Sequence, residues 1–183
     1  MDSWGYTTPE TLEARRERTK KWKPALLELA EQVHQAMLQF KPDPQSKLKA
    51  QWYISDGSLL GAFRNGAMIS HDYDFDYGIC FLTEEGHVAN FEESKAQLHS
   101  VADHLSSSLD KKYTILPRYD FTFKIEIYQE SSGVQWENKG KWNNVQMDLQ
   151  MCFSPDQNKF IYAYFRDNYN DYIDIKVSDV FPL

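Results

Sequence analysis

Asp56-Gly57-Ser58-Leu59-Leu60-Gly61-Ala62-Phe63-Arg64-Asn65-Gly66 runs on into His71-Asp72-Tyr73-Asp74-Phe75-Asp76-Tyr77-Gly78. Asp72, Asp74 and Asp76 fall at alternate positions, with Tyr73, Phe75, Tyr77, Ile79 and Phe81 on the other parity. A β-strand sends alternate side chains to opposite faces, so one face of this strand is aromatic and aliphatic and the other carries carboxylates. Aligned carboxylates repel one another, and folding does not need them. A divalent cation is the usual remedy, since hard oxygen ligands suit Mg²⁺ or Mn²⁺. The segment therefore reads as a metal-dependent active-site strand that handles a phosphate ester. A plainer reading, a charged edge strand that discourages aggregation, stands beside it.

Upstream, Gln51 to Ser55 reads as a short strand. Gly57-Ser58 follows as a tight turn, with Ser58 capping a helix from Leu59 to Arg64 and Gly66 closing it. A glycine turn feeding a helix N-terminus presents free backbone N–H groups, which favour phosphate oxygens. Such turns are common, and this one gains weight from its place one short helix ahead of the acidic strand. Arg64 suits either a phosphate or the negative end of its own helix. His71 reads as a packing or hydrogen-bonding residue. Earlier still, Thr8-Pro9-Glu10 reads as a helix start, followed by a basic, solvated surface up to Lys23. Pro24 is expected to restart the helix. Leu26, Leu29, Ala30, Val33, Met37 and Phe40 then form a stripe that packs on a sheet.

Downstream, Val88, Phe91, Leu98, Val101 and Leu105 mark a second amphipathic helix ending near Ser106 to Ser108. Tyr113 to Leu116 and Phe121 to Tyr128 read as strands around Pro117, and Glu130 to Lys141 as a surface loop. In Asn144 to Phe153 the alternation is cleanest: Val145, Met147, Leu149, Met151 and Phe153 share one face. Asp148 is the lone carboxylate of the other face, where a third metal-site aspartate belongs. Phe160 to Phe165 and Tyr172 to Val177 are further strands. The tyrosines at 162, 164, 169 and 172 read as core and surface residues rather than a sugar-stacking platform.

The 183 residues suit one domain, residues 1–183, with N-terminal helices over 9–40 and a catalytic core over 50–183. A net charge of −7 argues against a general nucleic-acid binder. Cys80 and Cys152, the only cysteines, lie in apolar runs and are expected as reduced, buried thiols. No run reaches the ~18 apolar residues of a membrane span, and no signal-peptide core is present. As written, the chain is expected to be soluble and cytoplasmic.

The series Gly57-Ser58-Leu59-Leu60-Gly61-Ala62, Arg64, Gly66, Ile69, Asp72, Asp74, Asp76 and Gly78 resembles the signature of the LicD/fukutin family, most nearly its fukutin-related branch. The match runs from about Tyr53 to Phe81, with echoes at Asn144 to Phe153 and Asp179 to Leu183. The resemblance implies a nucleotidyltransferase-like α+β fold: a mixed sheet with helices on one face and an open acidic face. It also implies transfer of a phosphorylated alcohol, of ribitol phosphate or phosphocholine type, from a CDP-activated donor to a glycan or glycolipid hydroxyl. Asp74 and Asp76 then match the metal-binding pair and Asp148 the third catalytic carboxylate. Gly57 and Ser58 match the phosphate-side turn, and Arg64 an arginine assigned to the donor. Spacing alone permits a 72/74 pair as well; depth in the strand and the resemblance favour 74/76, with Asp72 beside the ligands or sharing the ion. His71 stands where most members have Trp, and the zinc-finger cysteines of the fukutin-related branch have no counterpart. Two alternatives share the fold: an NTP-using nucleotidyltransferase, and a non-catalytic nucleotide-binding relative. A fragment of a fukutin-like protein would belong in the Golgi lumen.

Overall fold

The computed structural model describes residues 11–72, 74–119, 123–129, 145–154, 159–162 and 175–176. In chain order these form α1 (Leu12–Gln39), β1 (Lys49–Ile54), α2 (Asp56–Asn65), β2 (Asp74–Leu82) and α3 (Phe91–Ser108). There follow β3 (Tyr113–Arg118), β4 (Lys124–Gln129), β5 (Val145–Phe153), β6 (Lys159–Tyr162) and β7 (Ile175–Lys176). The main sheet runs β1-β2-β5-β4-β3, with β6 joined to β5 and β7 to β6. Among the described residues, β2 and β5 pair in parallel and the other pairings are antiparallel. This is a mixed α+β sheet, as the sequence predicts.

Alternation decides which face is covered. Ile79, Phe81, Ile125, Ile127, Met147, Leu149 and Met151 project to one face and join Leu29, Val33 and Met37 of α1 and Leu98, Val101 and Leu105 of α3 in one core. Each such side chain contributes about 1.5–3 kcal/mol on leaving water, so this layer carries much of the fold's stability. The opposite face receives Asp74, Asp76 and Asp148. On it Asp76 and Asp148 are only 7% and 6% exposed, and Ser58 at the head of α2 bonds the Asp76 N–H.

Two local expectations change. The helix does not restart at Pro24: α1 is continuous through it. Proline removes one N–H, and the carbonyl four residues back belongs to Lys20, an exposed residue on the solvent side of the helix. The first described cap is Thr11, whose hydroxyl accepts from the Ala14 N–H at 3.1 Å; the start expected at Thr8-Pro9 lies outside the described residues. Val88 sits ahead of α3, bridged to Leu82, and the helix begins behind a capping box of Asn90 and Glu93. Pro117 lies inside β3, which tolerates it as an edge strand. The loop expected over 130–141, the side chain at 162, and the tyrosines at 164, 169 and 172 lie outside the described residues. So does the segment 179–183. Both cysteines are free and buried. Among the described residues no helix is long and apolar enough to cross a membrane.

One glycine shapes the polar face. A Cβ on Gly78 would lie 2.3 Å from Cζ of Tyr53, whose ring crosses that position so that its hydroxyl meets Cys152 Sγ at 3.0 Å. Gly78→Ala is expected to push Tyr53 aside and to cost about 1–3 kcal/mol, read as a lower urea midpoint. An unchanged midpoint would show that Tyr53 does not need this gap.

Candidate metal centre

Register, rather than sequence proximity, assembles the acidic group. In the parallel β2–β5 pair, Asp76 stands opposite Asp148 and Asp74 opposite Gln146. One carboxylate oxygen from each of Asp74, Asp76 and Asp148 lies within 4.8 Å of the other two. The three aspartates singled out from alternation on two distant strands are thus brought together.

Their electrostatics is unfavourable without a cation. Burial, followed by the charges of Asp76, Asp72 and Asp148, pushes the Asp74 carboxyl up to about 9. Burial, followed by Asp148, Asp56 and Asp72, raises Asp76 to about 8 despite the opposing charge of Lys124. Carboxylates that keep protons into the alkaline range are being asked to share too little positive charge. Three hard oxygen donors at this spacing fit a divalent ion of the Mg²⁺ or Mn²⁺ kind. One such ion and the Lys124 ammonium would match the three carboxylates charge for charge.

The elements around the trio fix its orientation. Asp56 opens α2 in the left-handed region at φ 47°, an uncommon place for a residue other than glycine. The sharp entry starts the helix earlier than the sequence suggests, so Gly57 and Ser58 belong to its first turn rather than to a turn before it. Ser58 is accordingly not the cap. Ser55 holds that position without a side-chain capping bond, and Ser58 Oγ instead accepts from the Asp76 N–H at 2.9 Å. The Ser55 N–H donates to the Asp76 carbonyl at 3.0 Å, so both sides of the Asp76 peptide are tied to the head of α2. Gly66 closes α2 at φ 61°, as expected.

Asp72 lies ahead of β2, and its carboxylate packs against Gly57, where a Cβ would come within 2.3 Å of Oδ2. The N-terminus of α2 therefore already faces an anion, which suits the helix dipole. The Thr19 hydroxyl of α1 donates to the Asp72 carbonyl, fixing that end of the site to the long helix. Arg64 is exposed in the last turn of α2, at the helix end away from Asp56, Gly57 and Ser58. His71 is exposed just before Asp72.

Sequence reasoning missed the polar face of β4. Lys124 and Glu126 alternate there with Ile125 and Ile127, a signal present in the sequence but not used. Lys124 Nζ lies 2.5 Å from Asp148 Oδ2 and 3.3 Å from Glu126 Oε1, and Arg118 Nε lies 3.0 Å from Glu126 Oε2. Burial would lower the Lys124 ammonium's pKa, but Asp148 and Glu126 outweigh it and raise it. Gln146 Nε2 donates to the other oxygen of Asp148 at 3.2 Å, and Gln150 Nε2 to Asp56 Oδ2 at 3.3 Å. Asp148 thus carries a cation on one oxygen and a neutral amide on the other.

Residues 49–183 match the family model described as LicD/FKTN/FKRP, nucleotidyltransferase domain. No curated protein matches the chain. Among solved structures, the 3'-deoxy GTP bound and 3'-deoxy ATP bound forms of Vibrio cholerae DncV are similar at 12% identity, with TM-scores of 0.36 and 0.35. Each alignment covers 90% of this chain and 46% and 47% of theirs, so the chain spans about half the length of those proteins.

Proposed function

Because the chain belongs to the LicD/FKTN/FKRP nucleotidyltransferase-domain family, we propose that it transfers a phosphorylated alcohol from a CDP-activated donor to a glycan or glycolipid hydroxyl. The observation that supports this most is the meeting of Asp74, Asp76 and Asp148 around one point, with an oxygen from each within 4.8 Å of the others.

Asp74 and Asp76 would hold Mg²⁺ or Mn²⁺, with Asp72 behind them. Such an ion, when bound, supplies Lewis-acid charge to the donor's pyrophosphate oxygens. Asp148 Oδ1, which accepts from the Gln146 amide, takes the proton of the attacking hydroxyl. The acceptor's hydroxyl oxygen forms the new bond to phosphorus as the bond from phosphorus to the CMP oxygen breaks, and CMP leaves with the electron pair. General-base help of this kind is typically worth ~10²–10⁴-fold. Lys124 on Oδ2 keeps Asp148 oriented while Oδ1 works. Ser58 holds the strand end that carries Asp76, Gly57 leaves room for the Asp72 carboxylate, and Arg64 is available to a distal part of the donor.

The test is incubation with Mn²⁺ and CDP-ribitol, CDP-choline or CDP-glycerol beside plain NTPs. CMP release from one of the CDP-alcohols is the expected result. Pyrophosphate release from an NTP would replace this reading by nucleotidyl transfer. Stabilisation by CDP with no turnover of any donor would replace it by a binding module.

A further inference from the structure

Glu126 is a carboxylate only 2% exposed, set between Arg118 and Lys124 on the face that carries the aspartates. A buried ion pair is seldom the most stable filling for its space; apolar residues of similar volume often do as well or better. The row Arg118, Glu126, Lys124, Asp148 therefore asks for a reason beyond stability. The row ends at Asp148, one of the three carboxylates whose oxygens cluster.

Resting on the reading above, we infer that Lys124 is a ligand-binding residue whose ammonium meets a phosphoryl oxygen of the donor, with Glu126 and Arg118 positioning it. Its side chain is 14% exposed, so it reaches the face while staying largely out of water, where a charge acts more strongly. An ammonium has three N–H donors, and among the described residues Asp148 and Glu126 are the two acceptors it meets. The third is left for an incoming oxygen. Lysine binds phosphate as a compact point charge, which this crowded face accommodates. Exposed Arg64, at the far end of α2, lacks such a bracket among the described residues.

A binding role and a scaffolding role move two affinities in different directions. In Lys124→Met the aspartates lose a neighbouring positive charge, so Mn²⁺ should bind more tightly, by roughly threefold to tenfold. CDP, titrated in saturating Mn²⁺, should bind about 10–100-fold more weakly, as expected for a lost charge-assisted hydrogen bond. Lys124→Arg should recover most of the CDP affinity, and Glu126→Gln should weaken CDP without loss of Mn²⁺. Inorganic pyrophosphate should follow CDP, since the contact is to phosphate. Titration calorimetry on the full chain reads all of these. Weaker binding of both Mn²⁺ and CDP in Lys124→Met would assign the residue to scaffolding and overturn the inference. Wild-type CDP affinity in that variant would overturn it alone, leaving the transferase reading standing. If Lys124→Met fails to fold, wild-type CDP affinity in Glu126→Gln together with none in Lys124→Arg overturns it. A wild-type chain that binds neither CDP nor pyrophosphate would overturn both.

Discussion

Asp76→Asn is expected to raise the melting temperature of the metal-free protein and, in the same variant, to abolish Mn²⁺-dependent stabilisation by CDP. The two effects share a cause. In the unfolded chain the carboxyl ionises near 3.8, whereas in the fold burial and the charges of Asp148, Asp56 and Asp72 raise it to about 8. Between those values folding takes up a proton, so stability falls as pH rises. Asparagine removes that penalty, and a gain of the order of 1–3 kcal/mol at pH 7 follows, vanishing below pH 3.8. It also removes a charged oxygen from the cation's donor set. Asp74→Asn should behave alike, since burial and three neighbouring aspartates act on it in the same way. Thermal shift with and without Mn²⁺ and CDP reads both halves. Wild-type stabilisation by Mn²⁺ and CDP in both variants would contradict the metal assignment.

Mn²⁺ affinity should climb steeply with pH. Asp74 and Asp76 hold protons up to about 9 and about 8, and a cation needs them ionised. Each proton released on binding gives about a tenfold rise in affinity per pH unit. The rise should be steepest through neutrality and flatten as pH passes the folded values of about 8 and about 9. Calorimetry at one pH in two buffers of different ionisation heat counts the protons. An affinity that is flat from pH 6 to 8, with no proton release, would show that the carboxylates are already ionised.

Alternation made β2 and β5 legible, because Asp74 and Asp76 in β2, and Gln146, Asp148 and Gln150 in β5, share one parity while the other is apolar throughout. Asp74, Asp76 and Asp148 could be named from that pattern with the family signature. Their registration could not: pairing Asp76 with Asp148 depends on a parallel crossover, which no local signal in either strand encodes. Ser58 was misread for a related reason. Its sequence context suits a cap, but a hydroxyl bonds the nearest unpaired N–H, and tertiary packing brings Asp76 there first. Pro24 was overweighted, since the loss of one bond is small beside the burial of Leu26, Leu29 and Val33 that follows it. Lys124 and Glu126 stood in plain alternation with Ile125 and Ile127. They attract attention only once β4 is seen beside β5.

The most direct test is a crystal structure with Mn²⁺ and CDP, using the anomalous signal of manganese. The ion is expected within about 2.0–2.6 Å of oxygens from Asp74 and Asp76, with Asp148 on it directly or through one water. Manganese bound elsewhere on the chain, or Asp148 turned away beyond the reach of a bridging water, would contradict the account.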